Sequence, residues 1–267
     1  MYTAPFTYRR AASVKQAEDM FRDSPDARFL AGGQTLIPTM KQRLAAPADL
    51  IDISRIAALS FIRREANAVL IGAGTRHADV AASPEVKSAI PALAHLAGEI
   101  GDPAVRHKGT LGGSVANNDP AADYPAAVLA LGATIKTAKR SINAEAFFTG
   151  LFETALESGE LITEVSFPMP RRAGYAKFPN PASRYAMVGV FVADFGDAVR
   201  VAVTGAGACV FRMTQMEAAL AKRFAPDAVD GISVSADGMN SDLFGSAEYR
   251  AHLVRVMAKR AIAAAVL

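Results

Sequence analysis

The chain has 267 residues, 51% of them hydrophobic and 21% charged, with a formal net charge of +3. That length buries a sizeable core and suggests one to three domains, and the balance excludes a disordered chain. The charge is weak, and Lys/Arg runs stop at pairs such as Arg63-Arg64 and Arg171-Arg172, which argues against nucleic acid as a partner.

Cys209 is the only cysteine, so the chain has no internal disulfide and cannot alone hold an iron–sulfur cluster. His77, His95, His107 and His252 show no metal-ligand spacing, and neither a Gly-x-Ser-x-Gly elbow nor a His-Glu-x-x-His pair occurs. Catalysis by the chain's own side chains has little support. No apolar run reaches the length of a membrane span, and the first ten residues lack a signal peptide's apolar core. The expected location is the cytoplasm.

In chain order, Ser13 and Gln16 form a capping box that opens a helix through Val14, Ala17, Met20 and Phe21. Pro25 breaks it, and Arg28–Ala31 reads as a short buried strand. Gly32-Gly33-Gln34-Thr35 then turns into a helix over Leu36–Leu44, with Pro38 in its first turn. Strand, glycine turn and helix start together make a seat for phosphate or another oxyanion. Asp49–Ile53 is the next strand, which completes an α-β-α-β opening to about residue 54.

Phe61–Arg64 and Ala68–Ile71 read as a hairpin. Gly72-Ala73-Gly74 follows the second strand, as in a dinucleotide fingerprint, but His77 holds the third glycine position and no acidic residue ends a second strand at the required distance. Gly205-Ala206-Gly207 is weaker still; both fit strand-end turns equally well. Pro84–Ser88 and Pro91–Gly98 are short helices leading into a segment from Ile100 to Pro125. There Gly109, Gly112 and Gly113 bracket Thr110, Leu111 and Ser114. Such a stretch can aim several backbone N–H groups and two hydroxyls at one anion, with Asp119 and Asp123 beyond for a sugar hydroxyl or ring N–H. Read alone, it also fits a glycine-rich surface loop.

A helix to Leu131 and strands over Ala133–Thr137 and Leu161–Phe167 follow, and Pro168 and Pro170 mark a boundary. Beyond it, Tyr175–Phe178, Ala186–Ala193 and Ala198–Thr204 read as consecutive antiparallel strands. Met213–Lys222 and Ala247–Ala265 read as helices, the last with Tyr249, Leu253, Val256, Met257 and Ala261 on one face. Strands followed by helices make an α+β layer.

Ala31–Leu36, Leu50–Ile53, Gly72–Thr75 and the run from Gly101 through Arg106, Gly109–Ser114 and Asp119–Pro125 resemble the medium, FAD-binding subunit of the molybdenum hydroxylases. That family includes carbon monoxide, xanthine and aldehyde oxidoreductases, and the resemblance keeps its order over essentially the whole chain. It implies an α+β fold: a two-part FAD-binding domain of the vanillyl-alcohol-oxidase (PCMH) type, then a C-terminal domain with a three-stranded antiparallel sheet and helices. The boundaries expected are residues 1–170, with subdomains at about 1–54 and 55–170, and residues 171–267.

The same resemblance implies that Ala31, Gly32, Gly33, Gln34, Thr35 and Leu36 clasp the FAD diphosphate from one side, and Thr110, Leu111, Gly112, Gly113 and Ser114 from the other. Asp123, helped by Asn118, would accept hydrogen bonds from the adenosine or ribityl portion. Leu161 and Lys177 would approach the isoalloxazine, and Tyr185 would lie over its face, a strand-end packing role being the alternative. The implied partners are a large molybdenum-cofactor subunit and a small [2Fe–2S] subunit, in a dimer of heterotrimers. Electrons would pass from the clusters through FAD to an external acceptor, and no catalytic or metal-ligating residue is expected in this chain.

One departure limits the match: carbon monoxide dehydrogenase-like members often read Gly-Gly-His-Ser where this chain has Gly32-Gly33-Gln34-Thr35. The missing cysteine-rich insertion argues against the related benzoyl-CoA reductase branch. The competing readings are a self-sufficient FAD oxidase, a nicotinamide-dependent dehydrogenase built on Gly72 and Gly74, and a cofactor-free interaction module.

Overall fold

Residues 2–265 are described in a computed structural model of the chain. β1 (Thr7–Arg10) leads into α1 (Val14–Asp23), where the Ser13 hydroxyl accepts from the Gln16 amide at 3.1 Å. The Gln16 side chain reaches back to the Ala12 amide at 2.7 Å, so the capping box forms as a reciprocal pair. β2 (Arg28–Leu30), α2 (Leu36–Lys41) and β3 (Asp49–Asp52) follow, and β3 lies between β1 and β2, parallel to both. The helix stops at Lys41 rather than Leu44 because Arg43 takes φ 64°, which no α-helix continues through. β1 escapes the sequence reading, since its polar residues are mostly exposed.

The middle unit carries a five-stranded sheet. β4 (Ile62–Glu65) and β5 (Ala68–Gly72) form the expected antiparallel hairpin. Six helices intervene: α3 (His77–Ala82), α4 (Pro84–Ala89), α5 (Pro91–Gly98), α6 (Pro103–Arg106), α7 (Leu111–Asn117) and α8 (Tyr124–Ala130). β6 (Thr134–Thr137), β7 (Ser141–Asn143), α9 (Ala144–Phe147) and the small hairpin β8 (Phe148–Gly150) and β9 (Glu153–Thr154) come next. β10 (Ile162–Pro168) then inserts between β5 and β6, giving the order β4-β5-β10-β6-β7. Its buried Ile162, Val165 and Phe167 face the helices. The segment from Ile100 to Pro125 is therefore not an open loop. It is two short helices held by N-caps, Asp102 on the Val105 amide at 2.9 Å and Thr110 on the Gly113 amide at 3.1 Å.

The last unit is an antiparallel sheet of β11 (Arg172–Pro179), β12 (Ala186–Asp194), β13 (Val199–Thr204) and β14 (Phe211–Arg212), in that order. The three strands expected are thus joined by a fourth of only two residues, too short to register as a periodic pattern. Arg212 on it pairs with Glu217 of α10 (Thr214–Lys222) at 2.7 Å. All nine residues of β12 are buried, because alternate side chains enter different cores. Val188, Val190 and Val192 meet α11 (Ala247–Ala263), while Phe191 and Ala193 join the core of the middle unit. The buried stripe of α11 runs through Leu253, Met257 and Ala261 with Val254, Ala258 and Ile262. Tyr249 is not on it but stands half-exposed, edge-on to Phe178, and Val256 is only partly buried. Arg250 fills the stripe's first turn instead, donating to the Met187 and Gly205 carbonyls. Among the described residues no helix is long and apolar enough to cross a membrane.

Candidate functional site

The turn after β2 leaves five consecutive amides, those of Gly32, Gly33, Gln34, Thr35 and Leu36, with no acceptor among the described residues. Gly33 takes φ 70°, which curls the chain so that successive N–H groups converge, as in an anion nest. Gly32 has a different task. A Cβ there would lie 2.2 Å from the Lys108 carbonyl oxygen and 2.7 Å from the Gly109 Cα. The two glycine segments, far apart in sequence, touch backbone to backbone.

The second turn is built differently. Its amides are already engaged: Leu111 donates to the Thr75 carbonyl at 3.0 Å, Gly112 to Ala73 at 2.8 Å, and Ser114 to Thr110 at 3.0 Å. Gly113 is held by the Thr110 side chain. Gly112 fits because a Cβ would meet that of Ala73 at 2.5 Å. Toward a ligand this turn therefore offers the Thr110 and Ser114 hydroxyls and a flat glycine surface. Gly72 and Gly74 serve close packing on Leu59, whose carbonyl oxygen a Cβ at Gly72 would meet at 2.4 Å. That is a strand-end turn, not a dinucleotide fingerprint.

Both turns open on one cleft of about 1370 Å³ between the first and middle units. Arg28, Arg55, Arg76, Lys108 and Arg184 line it without a carboxylate partner among the described residues. The acids on its wall are mostly neutralised by others: Asp52 by Arg10 and the Tyr8 hydroxyl, Glu160 by Arg140, and Asp123 by Lys177. The Arg140 guanidinium, with the Glu157 amide and the Thr137 hydroxyl, holds the Glu160 carboxyl down at about 2. The unpaired cations give the cleft a positive field suited to a diphosphate.

Asp123 is buried at the inner wall. Its Oδ1 accepts from the Tyr175 hydroxyl at 2.5 Å and pairs with the Lys177 ammonium at 2.9 Å, whereas Oδ2 takes no hydrogen bond from the described residues. Lys177 also donates to the carbonyls of Glu99 at 2.7 Å and Arg184 at 3.1 Å. Below the second turn, His77 is buried against Tyr124 and donates its amide to the Gly109 carbonyl. Burial, with Arg106 nearby, lowers its imidazole pKa to about 4.

Of the residues singled out from sequence, the cleft gathers Ala31 to Leu36, Thr110, Gly112, Gly113, Ser114, Asp123, Leu161 and Tyr185. Three stand back from it. Leu111 is wholly buried in the core. Lys177 turns its charge into Asp123. Asn118 ends α7 at φ 42° and binds the Gly150 and Glu153 carbonyls at 2.9 and 2.7 Å, and its neighbour Asn117 lines the cleft instead. Asn118 thereby anchors the hairpin turn that carries Phe152, a half-exposed ring on the cleft wall. Phe152 reads from sequence as part of an aromatic core cluster with Phe147, Phe148 and Leu151, yet stands exposed on the cleft wall; for the unpaired cations the one local signal was Arg76 directly after the Gly72–Thr75 turn.

Residues 4–170 match the family model described as the FAD binding domain in molybdopterin dehydrogenase. The chain belongs to this family. It is 35% identical to the glyceraldehyde dehydrogenase medium chain of Sulfolobus acidocaldarius, each covering 98% of the other. It is also 35% identical to the carbon monoxide dehydrogenase medium chain of Hydrogenophaga pseudoflava, over 97% of this chain and 96% of that one. A solved carbon monoxide dehydrogenase from Oligotropha carboxidovorans superposes with TM-score 0.92 at 31% identity, covering 99% of this chain and 98% of the other. The chain is thus an FAD subunit of a molybdenum-containing oxidoreductase, and its unengaged amides and unpaired cations fit that cofactor's diphosphate.

Proposed function

We propose that this chain is the electron-transfer subunit of a heterotrimeric molybdenum hydroxylase of the aldehyde or carbon monoxide dehydrogenase type. Its partners are a large molybdenum-cofactor subunit and a small subunit with two [2Fe–2S] clusters, assembled as a dimer of heterotrimers in the cytoplasm. Residues 1–170 form the PCMH-type FAD domain, with parts at about 1–54 and 55–170, and residues 171–267 form the C-terminal domain. The observation that carries this reading is the contact of Gly32 with Lys108 and Gly109 beside five unengaged amides.

The amides of Gly32–Leu36 hold the diphosphate on one side, and Thr110 and Ser114 on the other. Asp123 accepts a hydrogen bond through Oδ2. Leu161 and Tyr185 wall the ring end, where Lys177 fixes the backbone at Arg184 and balances Asp123. When bound, the flavin supplies the redox chemistry, and the protein binds it, orients it and sets its electrostatic surroundings.

An absorption spectrum of the purified chain tests the first step: flavin bands are expected without iron–sulfur bands. Adding an aldehyde or carbon monoxide to the isolated chain should leave those bands unchanged, whereas the assembled complex should bleach them. Bleaching of the isolated chain by substrate would show a self-sufficient oxidase and overturn the subunit reading.

A further inference from the structure

The family match ends at residue 170, yet the carboxylate at the inner wall of the cleft is held by side chains beyond it. Tyr175 and Lys177 sit at alternate positions on β11, so both point from the same face of the sheet toward Asp123. All three side chains are buried. The Tyr175 hydroxyl and the Lys177 ammonium converge on the same oxygen, Oδ1, which leaves Oδ2 for the cleft. Opposite Lys177 in the register is Gly189, and a Cβ there would lie 2.6 Å from the Tyr175 hydroxyl oxygen. The phenol reaches Asp123 only because that position carries no side chain.

We propose that Tyr175 is a positioning residue for the FAD cleft, its phenol fixing Asp123 so that Oδ2 faces the cofactor as a charged acceptor for a hydroxyl or ring N–H. This rests on the cleft being the FAD site. Lys177 alone would supply the charge but not the orientation, because its ammonium is shared with two carbonyls. The phenol adds a short charge-assisted hydrogen bond from a ring held against Phe191. The C-terminal sheet thereby completes a site whose other walls belong to the first two units.

The groups facing Asp123 set the pH behaviour. Burial raises its carboxyl, and Lys177 and Tyr175 pull it down. Glu99, Asp119 across the cleft wall, and the phenols of Tyr124 and Tyr185 complete its surroundings. Without the Tyr175 hydroxyl the carboxyl rises further and takes up a proton at higher pH, which removes the acceptor.

The test is FAD affinity of the full chain, followed by flavin fluorescence between about pH 5 and 9, for wild type, Tyr175→Phe, Gly189→Ala and Tyr249→Phe. Tyr175→Phe keeps the ring packing and should weaken FAD about tenfold at pH 7, with affinity starting to fall at higher pH than in wild type. Gly189→Ala crowds the hydroxyl and should shift the profile in the same direction, which keeps the test informative if Tyr175→Phe folds poorly. Tyr249→Phe removes a half-exposed phenol of α11 that lies outside the cleft and should leave affinity and profile unchanged. If both Tyr175→Phe and Gly189→Ala bind FAD with the wild-type affinity and pH profile, Tyr175 does not position Asp123. A wild-type chain that binds no FAD would overturn the cofactor reading as well.

Discussion

The two glycine turns share a composition but do opposite things with their backbones. In the turn over Gly32–Leu36 the amides find no acceptor among the described residues. In the turn over Gly109–Ser114 the amides of Gly109, Leu111, Gly112, Gly113 and Ser114 are tied to Val105, Thr75, Ala73 and Thr110, and glycine serves close packing. A glycine-rich motif therefore marks where backbone must come close to something. Whether that something is a ligand or the protein itself depends on where the neighbouring carbonyls lie. On the proposed reading, the first turn is preorganised for the diphosphate and the second braces the wall against which it would be held.

The largest test of this difference is a pair of alanine substitutions. Gly32→Ala places a methyl 2.2 Å from the Lys108 carbonyl oxygen and forces the turns apart. It should cost about 3 kcal/mol of stability and abolish FAD retention, because it moves the amide nest off the second turn. Gly112→Ala crowds Ala73 and should destabilise the fold by a similar amount, about 2 to 3 kcal/mol, with a smaller loss of FAD affinity per folded molecule. Denaturant melts combined with FAD titration separate the two quantities. Equal affinity losses would mean that both turns bind through their backbones.

His77 allows the second turn to be stressed without touching the first. Its folded pKa of about 4 lies below the ordinary imidazole value, so the folded state resists a proton that the unfolded chain accepts. Stability is then at its plateau above about pH 6.5 and falls as pH drops toward 4, by an amount on the order of 2 to 3 kcal/mol. His77→Phe keeps a ring against Tyr124 and removes the titrating group, and Nδ1 has no hydrogen-bond partner among the described residues to lose. The melting temperature of the variant should lose most of its dependence on pH in that window. A wild-type acid limb that survives in the variant would place the sensitive group elsewhere.

Local signals were legible and long-range pairings were not. The Ser13–Gln16 box, the prolines opening α4 and α5, the β4–β5 hairpin and the alternation along β10 each depend on residues close in sequence, and each formed. The same holds for the Gly32–Leu36 turn, whose neighbours Pro38 and Arg28 already frame it. The resemblance brings Lys177 to the isoalloxazine, and its ion pair with Asp123, 54 positions earlier on a different unit, is reported by neither local pattern. Asn118 stands back because its left-handed cap turns its side chain onto the Gly150 and Glu153 carbonyls, and no local pattern reports which of two adjacent residues at a helix end turns inward. The fourth strand of the last sheet is two residues whose place depends on Glu217 holding Arg212.

A smaller effect is expected at Thr110. Its hydroxyl caps α7 through the Gly113 amide, so Thr110→Val should cost about 1 kcal/mol in stability, and Thr110→Ser should restore it. Because the hydroxyl can also donate a hydrogen bond into the cleft, FAD affinity should fall a few-fold in the valine variant alone. If the second turn instead bound through its backbone, freeing the Gly113 amide would raise affinity.

The smallest effect belongs to Lys108, whose carbonyl oxygen touches Gly32 while its side chain lines the cleft without a carboxylate partner among the described residues. Its backbone braces the two turns and its charge adds to the field, and substitution of the side chain separates those roles. Lys108→Met keeps the stem and the backbone, so the melting temperature should stay within a degree or so of wild type, as surface changes worth about 0.5 kcal/mol or less do. FAD affinity should fall about two- to fivefold at low ionic strength, the size of one partly screened charge acting on a diphosphate. Raising the salt shortens the reach of that charge to under a Debye length, so the difference between wild type and variant should shrink toward zero. A loss that persisted in high salt would mean that Lys108 makes a direct, desolvated contact with the ligand, and the second turn would then bind by charge as well as brace.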